Sequence, residues 1–105
     1  MRRGEVWWAE LPPPVGRRPV VLLSRDAAYR VRTSITVGLV TRIARNIPTE
    51  VPLGREDGMP ERCVVNLDEI LTIPKARLAG QIASLSSEKM TAVAGAIAFA
   101  LDLRI

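Results

Sequence analysis

The sequence predicts a mainly β fold, a small barrel or compact sheet finished by one C-terminal helix. Two observations predict it. Short runs dense in Val, Ile, Leu and Trp recur at close, regular intervals with prolines and glycines between them, and only the stretch after Ser86 carries apolar residues at helical spacing. With 48% hydrophobic and 25% charged residues the chain has the composition of a globular protein, and a single domain over 1–105 is expected.

The first strand is expected over Glu5 to Leu11, where Val6, Trp7 and Trp8 favour β structure and Pro12-Pro13-Pro14 stops it for want of ladder donors. Pro19-Val20-Val21-Leu22-Leu23-Ser24 follows as an unbroken apolar run of strand length, which predicts a strand buried on both faces. Arg25 to Thr33 is polar and arginine-rich, either a short helical turn or a loop. Ser34 to Thr41 is dense in β-branched residues and reads as the third strand, with Gly38 marking a bulge or a close backbone approach.

Beyond a basic connection, Arg42 to Asn46, the segment Thr49 to Leu53 predicts a short edge strand carrying Pro52. Gly54 to Pro60 contains Asp57-Gly58 and reads as a turn. Cys63 to Asp68 forms the next strand, which Leu71-Thr72-Ile73 either continues or follows as a separate piece. Leu78 to Leu85 alternates as a last strand does. Ser86 is a natural N-cap, Glu88 suits the helix dipole, and Met90, Val93, Ala94, Ile97 and Leu101 define the expected inward face of the helix.

The chain contains no histidine and a single cysteine, Cys63. The usual zinc sites and the Ser-His-Asp and Cys-His mechanisms are therefore excluded, and neither a metal nor another cofactor is expected. Cys63 reads as a small buried hydrophobe. No apolar run reaches the roughly 20 residues that span a bilayer, so a membrane partner is not expected and a cytoplasmic location is.

The net charge of +4 favours a polyanionic partner, nucleic acid first. Arginine dominates the basic residues, and its planar fork suits phosphate; a coding bias towards arginine explains the same composition. Aromatic residues make up only 4%, too few for a surface built mainly on base stacking. Trp7 and Trp8 point to opposite faces of their strand, so at most one belongs to the core and the other is an interface residue or a stacking platform.

Among candidate functional residues, Arg17 and Arg18 precede Pro19, which disfavours helix at Arg18 and holds it extended at the lip of a strand. They are either a solvated pair or a phosphate site. Thr41 ends the third strand with a hydroxyl, at the entry to Arg42 and Arg45. Asn66 and Asp68 share one face of their strand, either a solvent face or a polar binding face.

Several segments together, Arg3 to Leu11, Arg18 to Asp26, Ile47 to Val51, Cys63 to Ile70, Thr72-Ile73, Arg77-Leu78 and Leu85 to Met90, resemble the MazF/PemK/Kid toxins of type II toxin–antitoxin systems in order and spacing. The resemblance covers nearly the whole chain. It implies an SH3-like small barrel of the CcdB/MazF type with a C-terminal helix, a homodimer whose groove holds single-stranded RNA, and a cognate antitoxin that occupies that groove. It also implies a sequence-specific, metal-independent endoribonuclease, an mRNA interferase. In that reaction the ribose 2′-OH attacks its own 3′ phosphate and leaves a 2′,3′-cyclic phosphate and a 5′-OH.

Carried over by position, the resemblance makes Arg18 and Thr41 catalytic and Asp68 a base or an RNA contact, with Arg17, Arg42, Arg45 and Asn66 binding RNA. Asn66 stands where some members have arginine, Leu71 departs from an Ile-Arg-Thr run, and the loop Pro14 to Arg17 lacks a longer insert that many members carry. Physics recasts Arg18, because a guanidinium stays protonated and acts as a charge clamp, not a base. Two other readings are kept: a non-enzymatic CcdB-like toxin that binds DNA gyrase, faintly suggested by Leu103-Arg104-Ile105, and a non-catalytic nucleic-acid-binding module.

Overall fold

The computed structural model describes residues 1–104 and contains six strands and two α-helices. The strands are β1 (Glu5–Glu10), β2 (Arg17–Leu22), β3 (Ser34–Thr41), β4 (Glu50–Leu53), β5 (Cys63–Pro74) and β6 (Leu78–Ser84); the helices are α1 (Ala28–Val31) and α2 (Ser87–Ala100). Every pairing is antiparallel, in the order β4-β5-β3-β2-β1-β6. The result is a mainly β fold with a C-terminal helix, as the sequence predicts. The sheet is a curled half-barrel, because β4 and β6 remain its two edges.

Both faces of the sheet are covered, and β2 explains how. Val21 joins the cluster of Val6, Val40, Val65 and Leu67 under α2, where Val93 and Ala96 are buried. Val20 and Leu22 join the opposite cluster of Ala9, Leu39, Ile35 and Tyr29. An uninterrupted apolar run is what a strand between two cores requires.

The long β5 settles the question left open for Leu71-Thr72-Ile73: they continue the strand. Continuity is kept by a bulge, since Leu39 pairs with Asn66 while its neighbour Gly38 pairs with Ile70. At Gly38 a Cβ would stand 3.1 Å from Val65 Cγ2 and 3.2 Å from Leu67 Cδ1, so the expected close approach is that of side chains from β5. Lys75 ties the far end down by donating to the carbonyl of Tyr29 at 2.8 Å.

Two local expectations differ from the structure. Strand β2 begins at Arg17, not Pro19, and Pro19 pairs with Trp8 inside it. The proline is tolerated because β2 meets β3 only over Val20–Leu22, so at Pro19 the second side of the strand has no ladder to break. Along α2, Ala94 and Leu101 are exposed while Ala96 is buried. The buried stripe runs through Val93 and Ala96 with Met90 and Ile97 beside it, and Leu101 is already the C-cap. Ser86 caps the helix as expected, its hydroxyl accepting the Lys89 N–H at 3.1 Å. The terminal residue of the Leu103-Arg104-Ile105 segment, Ile105, lies outside the described residues.

Candidate active site

The site arises from a split in the sheet. Strands β2 and β3 pair from Leu22↔Val37 to Val20↔Leu39 and then part. Beyond that point β2 continues with β1, Ala9 opposite Arg18, and β3 continues with β5, Thr41 opposite Val64. A cleft of about 500 Å³ opens between the diverging ends. Trp8, Arg17 and Arg18 line one side, Thr41 and Arg42 the other, and Met59, Pro60, Glu61 and Cys63 form a wall from the connection into β5.

Three arginines therefore converge on one hollow with a threonine hydroxyl, but they are not equivalent. Arg17 is ion-paired with Glu10 and lies over the ring of Trp8, its guanidinium carbon 4.7 Å from the ring centroid. Arg42 lies 3.6 Å from Glu61 with both side chains exposed. Arg18, partly buried, has no carboxylate within ion-pair distance among the described residues. Its charge is the one left uncompensated, and an uncompensated guanidinium at the lip of a cleft favours an incoming anion.

Thr41 is half-buried and accepts the Ile43 N–H on its Oγ1 at 3.3 Å. That bond uses an acceptor lone pair and leaves the hydroxyl hydrogen available to a ligand oxygen. Cys63 is buried, and its thiol is pushed up from its ordinary pKa by burial, then by Glu61 and Asp57, which holds it as the neutral thiol.

The other residues singled out in the sequence do not line this cleft. Arg45 lies on the exposed connection after β3, its backbone N–H bound to Glu50 Oε1 at 2.8 Å. Asn66 is buried, and its Oδ1 accepts the Asp68 N–H at 2.9 Å, which closes the bulge of β5. Asp68 is exposed and its Oδ2 accepts the hydroxyl of Thr49 at 2.7 Å. Asn66 and Asp68 are thus linked to each other through the bulge, and neither lines the cleft that holds Arg18. Sequence reasoning missed the wall from Met59 to Cys63, because Asp57-Gly58 signals a turn without saying which strand end the turn will cover. Trp8 was half-seen: its partial exposure in the cleft belongs with the stacking alternative, while Trp7 packs beside the second core.

A curled antiparallel sheet with a C-terminal helix, split at a cleft that gathers arginines around a hydroxyl, defines a small basic protein with a cleft suited to an anion. The comparisons give that class its family. Residues 2–101 match the family model described as PemK-like, MazF-like toxin of type II toxin-antitoxin system. The chain is 41% identical over 102 residues to the probable endoribonuclease MazF5 of Mycobacterium tuberculosis, covering 95% of this chain and 92% of that protein. Among solved structures, the Mycobacterium tuberculosis toxin MazF-mt6 superposes with a TM-score of 0.89 at 34% identity over 96% of this chain and 99% of the other. A mycobacterial endoribonuclease in complex with its cognate antitoxin superposes with a TM-score of 0.88 at 28% identity, over 100% and 98%. The chain belongs to the PemK/MazF family of type II toxins, and its activity is that of an endoribonuclease.

Proposed function

We propose that this toxin cuts single-stranded RNA without a metal ion, by attack of a ribose 2′-OH on the adjacent 3′ phosphate at Arg18. The observation that carries the reading is the split between β2 and β3, which sets an unpaired Arg18 and the free hydroxyl hydrogen of Thr41 on opposite sides of one cleft. As the 2′-oxygen–phosphorus bond forms and the bond to the 5′-oxygen breaks, negative charge builds on the non-bridging oxygens. The Arg18 guanidinium stabilises that charge and Thr41 donates to one of those oxygens. The 2′ proton leaves, the departing 5′-oxygen takes one up, and the products are a 2′,3′-cyclic phosphate and a 5′-OH. Holding the sugar in line with the leaving oxygen supplies much of the acceleration.

Arg17 and Arg42 bind the phosphates that flank the scissile one, exchanging Glu10 and Glu61 for RNA. Asp68, Asn66 and Arg45 lie outside the cleft, which favours RNA contact over a base role for Asp68. The partners proposed are a cognate antitoxin, as in the mycobacterial complex named above, and a second copy of the chain in a homodimer. Exposed Phe99, Leu101 and Leu103 at the helix end offer apolar surface for association. No helix among the described residues is long and apolar enough to cross a membrane, and a cytoplasmic location is proposed.

The test is cleavage of a single-stranded RNA in EDTA. Wild type is expected to release 2′,3′-cyclic phosphate ends, and Arg18→Ala to lose about 100-fold or more in rate while folding normally. A folded Arg18→Ala that cuts at the wild-type rate would remove Arg18 from the site.

A further inference from the structure

Trp8 stands on the face of the sheet from which the cleft opens. Directly paired residues of β1 and β2 share a face, so Val6 with Val21, Trp8 with Pro19 and Glu10 with Arg17 form one row. Val6 and Val21 are buried in the core under α2, and Val40, Met59 and Cys63 of that same core also line the cleft. Trp8 is the next step of the row outward, partly buried and itself part of the cleft lining, whereas Trp7 packs beside the opposite core.

The ring of Trp8 is covered by a charge. Arg17, diagonal to it across the β1–β2 ladder, lays its guanidinium carbon 4.7 Å from the ring centroid and is ion-paired with Glu10. Both holds on Arg17 are weak, because its side chain is 52% exposed and that of Glu10 51%. At exposed sites a cation–π contact shifts an equilibrium about two- to fivefold, and an exposed ion pair up to about fivefold. A nucleic-acid base stacked on an aromatic ring is worth about 5- to 150-fold. The guanidinium is therefore the weaker occupant of the ring, and a backbone phosphate offers it a charge-assisted partner in place of Glu10.

We propose that Trp8 is the stacking platform for one base beside the scissile phosphate, and that Arg17 is its placeholder, leaving the ring for a backbone phosphate as the base arrives. The two movements are one exchange. A phosphate alone draws Arg17 away and leaves the ring bare, and a base alone has to displace a cation that gains no new partner. The site therefore favours a nucleotide over either of its parts. Every base has a π face, so the contact does not choose among the four; it selects a base that is unstacked from its neighbours, as in single-stranded RNA. The inference rests on the ribonuclease reading above and adds to it the residue that tells an unpaired nucleotide from a paired one.

The experiment uses a short single-stranded RNA spanning a cut mapped with wild type, carrying a 2′-deoxyribose at the cut so that it binds without reacting, and abasic versions of it made one position at a time. For wild type, one abasic position flanking the cut is expected to weaken binding by about tenfold or more. Trp8→Leu is expected to weaken the intact strand by about the same factor and to lose no more than about threefold further at that abasic position, because the two changes remove one contact. Trp8→Phe, which keeps a π face, is expected to restore most of the difference. A second measurement needs no variant: at saturation the intact strand should quench the tryptophan fluorescence of wild type, and the strand abasic at that position should quench it much less. Abasic losses that are equal in wild type and Trp8→Leu at every position, or equal quenching by the two strands, would overturn the assignment of Trp8 and leave the ribonuclease reading standing. A folded wild type that cuts no single-stranded RNA would overturn the ribonuclease reading itself, and this inference with it.

Discussion

The hydroxyl of Thr41 separates two contributions at the scale of a single residue. Thr41→Val keeps the volume and the β-branched shape at a half-buried strand end, and removes only the donor and the acceptor for the exposed Ile43 N–H. RNA cleavage is expected to fall between about tenfold and 1,000-fold in kcat with a smaller change in KM, since the lost bond strengthens as charge develops. Steady-state kinetics on a short RNA would show this.

Tyr29 offers a residue-scale test of the second core. It is the sequence's only tyrosine, its ring is buried, and its hydroxyl donates to the Ser24 carbonyl at 3.0 Å. Burial, and then Asp26, push its pKa up to about 12. Because the folded value lies above the unfolded value of about 10, the neutral phenol stabilises the fold fully below pH ~10, and that contribution drains away as pH rises towards 12. Ultraviolet titration should therefore show one phenol ionising near pH 12, and Tyr29→Phe should flatten the loss of stability between pH 10 and 12. The same variant loses one hydrogen bond, about 1 kcal/mol at neutral pH, read by urea unfolding.

At the scale of elements, the fold depends on a bulge and on a cap. Gly38 sits where β3 and β5 shift register, and an added methyl meets Val65 and Leu67, both held in the core under α2. Gly38→Ala is expected to cost about 1–3 kcal/mol by overpacking, measured as a lower unfolding midpoint. Ser86→Ala removes the acceptor for the Lys89 N–H and is expected to cost about 1 kcal/mol. Lys89 itself, donating to the Pro52 carbonyl at 2.9 Å and lying 3.5 Å from Asp57, links α2 to β4 and to the turn that continues into the cleft wall. The strands were legible because β-branched runs and proline stops act locally. The start of β2 differs from the local reading because pairing of Glu10 with Arg17 extends the ladder backwards past Pro19, a long-range gain that no local signal carries.

Across the whole molecule, charge sets how tightly RNA is held, and the ion pairs set how much of that charge is free. Binding through Arg17, Arg18 and Arg42 predicts that log affinity falls with log salt with a slope of about −2 for a single strand. Arg42→Met should reduce the slope by about 0.7, and filter binding between 50 and 200 mM salt would measure both. A homodimer predicts a sedimenting mass twice the 11.5 kDa of the chain.

The sequence by itself determined the strand-rich order, the capped C-terminal helix, the two-sided burial of Val20 to Leu22 and, through its motifs, the family. Each depends on residue types and spacings that act within a few positions. It also brought Arg17, Arg18, Thr41 and Arg42 forward as candidates. Only the tertiary structure decided that these four share a cleft while Asn66 and Asp68 close a bulge elsewhere. It alone decided that, of the three arginines in the cleft, Arg18 is the one left without a carboxylate among the described residues. Those outcomes follow from where β2 and β3 part and from which residues 20 to 50 positions distant fold against them, and a local pattern holds no record of that.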